Sequence, residues 1–172
     1  MKLNYLKEFL IFILLILVQV LLLNRINLFG IATPVIYIWF LLKLPVGRSP
    51  YYVIISGFLM GIIIDIFLNT PGMNAAATTI VAAFRKPIIG MFYERDTFDE
   101  YVPGINTDAS KFVRFTIFTM LLHITILFFI ESFTLFNLVN TLIRIITSSV
   151  VSILIVLATD SLIYRNKPRE QS

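Results

Sequence analysis

Long apolar runs, each closed off by a few charges or turn residues, dominate the order of residues along this chain. At about 1.5 Å per residue, roughly 20 apolar residues carry a helix across the hydrocarbon core of a bilayer. Five runs approach that length: 6–23, 28–44, 51–68, 112–131 and 138–164. A sixth, 74–84, is short, cut off by Arg85, Lys86 and Pro87. It is expected to reach back to Pro71, with Arg85 and Lys86 snorkelling to the interface and 88–93 lying along the membrane surface. The fold class expected from this pattern is an all-α, polytopic membrane protein with six transmembrane helices in one integral domain.

The basic residues test the sixth helix. With six spans and the N-terminus inside, twelve of them fall on the cytoplasmic side, among them Lys2, Lys7, Lys43, Arg48, Arg85, Lys86, Arg165, Lys167 and Arg169. Arg25 alone falls outside, and Arg144 lies within a span. Without the sixth helix the best division is nine against four, so the positive-inside rule favours six spans with both termini cytoplasmic. A cytoplasmic loop, 85–111, and a tail, 165–172, complete the layout. The loop carries Glu94, Arg95, Asp96, Asp99, Glu100 and Asp108, a mixed charge typical of a solvated surface and open to use as a docking loop. Lys2 and Lys7 precede the first run as they would in a signal peptide. The run is too long for one, and Asn24-Arg25-Ile26-Asn27 offers no small-residue cleavage site, so a retained helix is expected.

Composition agrees. Apolar residues make up 58% and charged residues 14% of 172 positions, with a mean hydropathy of +0.90. A soluble domain of this size has too little polar surface to cover so much apolar area. No cysteine is present, which excludes disulfides, thiolate metal sites and thiol catalysis. The net charge of +4 reads as the basic ends of membrane helices rather than a nucleic-acid surface. No metal, nucleotide or other cofactor is expected, because the chain lacks a Gly-rich phosphate loop, an HExxH motif and a GxSxG elbow.

Polar residues inside the runs are expensive in lipid and therefore informative. Gly57, Gly61 and Asp65 recur at i, i+4 and share one helix stripe. The glycines permit a close neighbour and the carboxylate then lies in a buried seam, either as a packing face or as a partner contact. Gly72, Ala75 and Ala76 continue the set of small residues beyond a turn at 69–74. Arg144 is placed at the same depth as Asp65 and Glu131, and an ion pair is expected with one of the two. His123, the only histidine, cannot complete a metal site and has no acidic ladder beside it, so a hydrogen-bonded packing role is expected. Asp160 is expected to pair near the interface with Arg165 or Lys167.

One stretch also carries a resemblance. The Pro-bearing segment Ile31-Ala32-Thr33-Pro34-Val35-Ile36-Tyr37 is followed by Gly57-Phe58-Leu59-Met60-Gly61-Ile62-Ile63-Ile64-Asp65-Ile66-Phe67 and by Thr70-Pro71-Gly72-Met73-Asn74-Ala75-Ala76-Ala77. In these residues, and in length and helix order, the chain resembles the rod shape-determining MreD family, in the form found in Bacteroidetes-type bacteria. The resemblance implies a non-enzymatic inner-membrane scaffold of the bacterial cell-elongation complex, supporting peptidoglycan synthesis and cell shape. Its implied partners are an MreC-like bitopic protein and, within the larger complex, RodA, penicillin-binding protein 2 and MreB. It also implies a fold like the substrate-binding subunits of energy-coupling-factor transporters. The rival reading is therefore such a subunit, capturing a vitamin or other small molecule from outside; an intramembrane enzyme or flippase is a remoter one. Gly57, Gly61, Asp65 and Gly72 carry over from the family pattern, and no catalytic residue does.

Overall fold

The computed structural model describes residues 2–25, 32–93, 101–132 and 137–164. These form six α-helices: α1 (Lys2–Leu21), α2 (Ile38–Lys43), α3 (Pro50–Leu68), α4 (Met73–Phe92), α5 (Ile105–Glu131) and α6 (Leu138–Tyr164). Four of them, α3 to α6, are long and apolar enough to cross a membrane among the described residues. Their outward faces carry large apolar side chains with no protein cover, such as Ile66 (73% exposed) and Leu154 (62%). Such a surface is stable in lipid and not in water, so the chain is a helical membrane protein.

Chain order dictates the packing. Helices α3 and α4, α4 and α5, and α5 and α6 are consecutive antiparallel neighbours, while α1 lies against α3 and α2. The α3–α4 turn is set by two left-handed residues, Asn69 (φ 54°) and Gly72 (φ 76°). Asn69 and Thr70 both return their N–H groups to the Asp65 carbonyl, closing the last turn of α3. Pro50 occupies the first turn of α3, where its missing N–H costs nothing.

The structure departs from the sequence expectation in four places. Within the helix expected over 28–44, the described residues 32–44 are helical only over the six residues of α2; residues 32–37 before it are not helical and are mostly buried. Pro34 keeps a helix from running through 33–34, since it lacks an N–H and disfavours helical geometry at Thr33. Helix α4 does not stop at Phe84 but runs through Pro87 to Phe92, so 88–93 is the end of a helix and not a surface strip. Arg85 does not snorkel: it is 4% exposed and turned inward. Helix α5 begins at Ile105 rather than 112, with a kink at Asp108, so the expected 85–111 loop is helical at both ends. Its charged centre, Glu94 to Glu100, and the tail with Arg165, Lys167 and Arg169 lie outside the described residues.

Candidate functional site

Helices α3 and α4 meet along the glycine stripe. A Cβ on Gly61 would stand 2.5 Å from the Ala75 Cα and 2.7 Å from both the Ala75 nitrogen and the Asn74 carbonyl oxygen. All three are backbone atoms, so no side-chain movement can make room. A Cβ on Gly57 would stand 3.0 Å from the Ala82 Cβ. One turn further on, the Asp65 carboxylate accepts the Asn74 N–H (3.0 Å), the Asn74 side-chain amide (2.9 Å), the Ala75 N–H (2.8 Å) and the Thr70 hydroxyl. Asp65 thus caps α4 from another helix, satisfying donors that the first turn leaves open and opposing the positive end of its dipole. The stripe is a packing face between two helices of this chain. Ala75 is buried in it, whereas Ala76 and Gly72 face outward.

From Asp65 a polar chain runs inward. The Asn74 amide nitrogen is committed to Asp65, leaving its oxygen to accept the Tyr37 hydroxyl at 2.9 Å. That hydroxyl is also 2.8 Å from His123 Nε2. Asp65, Asn74, Tyr37 and His123 are all buried, and together they tie α3, α4, the 32–37 segment and α5. His123 is therefore hydrogen-bonded within the core. Nothing in its sequence neighbourhood pointed to Tyr37 as the partner.

The non-helical segment 32–37 has its backbone satisfied by side chains. Ser148 Oγ accepts the Thr33 N–H at 3.0 Å and Ser152 Oγ accepts the Val35 N–H at 2.8 Å. Gln19 of α1 bridges both ways, its Oε1 accepting the Ile36 N–H (2.9 Å) and its Nε2 donating to the Pro34 carbonyl (3.0 Å). Irregular backbone at membrane depth is tolerated where protein takes up its polar groups in this way. The sequence signals were a lone glutamine in an apolar run and serines one turn apart on α6.

The opposite end of the bundle holds the charges. Lys43 at the end of α2 pairs with Asp160 of α6 at 2.9 Å, and their side chains are 6% and 1% exposed. Lys43 also donates to the Pro103 carbonyl, while Asp160 accepts the Trp39 indole N–H (3.2 Å) and the Ile105 N–H (2.9 Å). Asp160 is thus a buried tether for Lys43; the partners expected for it, Arg165 and Lys167, lie outside the described residues. Arg85 donates to the carbonyls of Leu41 (2.6 Å), Leu44 and Pro45, taking up oxygens that the end of α2 leaves open. Arg48 pairs with Glu8 of α1, which also accepts the Tyr52 hydroxyl (2.9 Å). At the Asp65 end, Arg144 pairs with Glu131 at 2.9 Å and lies 4.5 Å from the centre of the Phe128 ring. Of the two carboxylates open to Arg144 from sequence, Glu131 is its partner.

Two apolar grooves open on the outside. One, of about 470 Å³, lies between α4 and α5 and is lined by Ile80, Phe84, Pro87, Ile88 and Met91 facing Phe118, Leu122 and Ile126. The other, of about 260 Å³, lies between α1 and α3 and includes Phe9, Phe12, Phe40, Ile55 and Leu59, with Glu8 and Tyr52 among its lining residues. No group of three or more potential ligand side chains suited to a metal occurs among the described residues. No family model, curated protein or solved structure matches the chain.

Proposed function

We propose that this chain is a non-enzymatic, MreD-like scaffold of a bacterial cell-elongation complex, and that it acts through its helix surfaces. On this reading it has six spans arranged like an energy-coupling-factor substrate-binding subunit, lies in the inner membrane and keeps both termini in the cytoplasm. Helix α1 and the 32–44 segment with α2 supply the two spans beyond α3 to α6. Its partner is an MreC-like bitopic protein, within an assembly that includes RodA, penicillin-binding protein 2 and MreB.

One observation carries the reading. The core of the resemblance, 57–67 and 70–77, makes up one structural unit, the glycine-packed and Asp65-capped hairpin of α3 and α4. The internal polar groups favour a structural role as well. Both carboxylate oxygens of Asp65 accept hydrogen bonds, and an Asn amide between Asp65 and Tyr37 is a poor proton carrier. These groups brace helices and leave the outer faces for recognition.

The test is affinity purification of the full chain from native membranes in mild detergent, with co-purifying proteins identified by mass spectrometry. The scaffold reading expects an MreC-like protein at near-stoichiometric yield. Recovery of a pair of ATPase subunits and their coupling protein, without an MreC-like protein, would establish the transporter reading in its place.

A further inference from the structure

The α4–α5 groove has features that point to a lipid. Its lining is apolar throughout, and no acidic residue contributes to it. Ile80, Phe84 and Met91 follow one stripe of α4, while Phe118, Leu122 and Ile126 follow i, i+4 along α5. From Ile80 to Met91 the groove runs about 17 Å, at about 1.5 Å per residue, against roughly 15 Å for the hydrocarbon depth of one leaflet. The α5 stripe continues by one turn to Arg114, which is exposed. Between Arg114 and Glu131 the helix has no Asp, Glu, Lys or Arg, so Arg114 stands where the uncharged part of α5 begins. Among the described residues its guanidinium bonds to Ser110 of its own helix, through the carbonyl at 3.2 Å and the hydroxyl at 3.0 Å, with Asp108 near enough to act on its charge.

We infer that the groove between α4 and α5 holds one acyl chain of an anionic phospholipid, with Arg114 engaging its phosphate. The groove matches a leaflet in depth, its wall matches an acyl chain in chemistry, and the cation stands on the same stripe one turn past its end. Basic residues at a membrane surface favour anionic lipid, and a hydrocarbon slot alone has no reason to prefer one headgroup. The inference rests on the chain crossing a bilayer and is independent of the scaffold reading.

The test is native mass spectrometry of the full chain, purified in detergent and incubated separately with dioleoyl phosphatidylglycerol and dioleoyl phosphatidylcholine. Wild type is expected to retain the phosphatidylglycerol adduct about fivefold better, the ratio expected for one surface cation. Arg114→Gln, at an exposed position that leaves the core intact, is expected to bring the two lipids level with no change in melting temperature. Leu122→Trp, which fills the slot, is expected to lose both adducts. Equal retention of the two lipids by wild type, or an undiminished preference in Arg114→Gln, would overturn the inference. So would retention by a folded Leu122→Trp that matches wild type.

Discussion

Gly61 and Asp65 show how much of this molecule turns on single atoms. A methyl group at residue 61 has only backbone in front of it, so Gly61→Ala must push α3 and α4 apart. Overpacking of this kind costs about 1–3 kcal/mol. Asp65→Asn keeps the shape but presents an amide to donors that need an acceptor, with an expected cost of about 2 kcal/mol. Both losses are measurable by denaturation in detergent, with the single tryptophan, Trp39, as a buried reporter. Wild-type stability in either variant would mean that the hairpin packs otherwise than described. The sequence marked these two residues clearly, because glycines at i, i+4 and a carboxylate in a lipid-facing run have few uses. It could not show whether the stripe meets another helix of the same chain or a different protein, since close packing has the same signature in both. Arg144 illustrates the same limit. Depth along the helices offered Asp65 and Glu131 equally, and only the four donors already on Asp65 decide between them.

At the scale of elements, the 32–44 segment is where hydropathy alone misled. An apolar run reads as a helix whether its backbone bonds to itself or to its neighbours. Here Pro34 disfavours helix at Thr33, and Gln19, Ser148 and Ser152 take up backbone groups of residues 33–36. The signals were on other elements, too far along the sequence to be paired by eye. The short helix that follows is fastened by Lys43–Asp160 and by Arg85, and this predicts a particular pattern of mutants. Asp160→Leu alone leaves an uncompensated Lys43 in the core and is expected to cost about 3–5 kcal/mol. Lys43→Met with Asp160→Leu removes both charges together and is expected to recover the part of that loss due to the unpaired charge, while the Trp39 and Ile105 N–H groups remain without their acceptor. Trp39 fluorescence follows the site directly, because its indole bonds to Asp160. If the double variant is as unstable as Asp160→Leu, the ion pair is not what holds α2 in place.

Across the whole molecule, polar residues are sorted by depth. Asp65, Glu131 and Arg144 gather at one end, Lys43, Arg48, Arg85 and Asp160 at the other, and Tyr37–His123 lies between. The membrane character and three of the four long helices, α3, α5 and α6, were legible from hydropathy, because lipid selects directly for apolar length; α4, interrupted by Arg85, Lys86 and Pro87, was expected only from the distribution of basic residues. Partners and function are not written in hydropathy, and they rest on the resemblance in 57–77. Orientation, by contrast, is open to a direct measurement, since the chain has no cysteine of its own. Pro71 and Ser49 are both exposed and lie at opposite ends of α3. Pro71→Cys and Ser49→Cys, each as the sole cysteine, are to be treated in intact spheroplasts with a membrane-impermeant maleimide. An inner-membrane chain with cytoplasmic termini predicts labelling of Pro71→Cys and none of Ser49→Cys until the membrane is opened. Labelling of Ser49→Cys but not Pro71→Cys would reverse the orientation, and equal labelling of both in sealed spheroplasts would contradict a membrane-spanning α3 altogether.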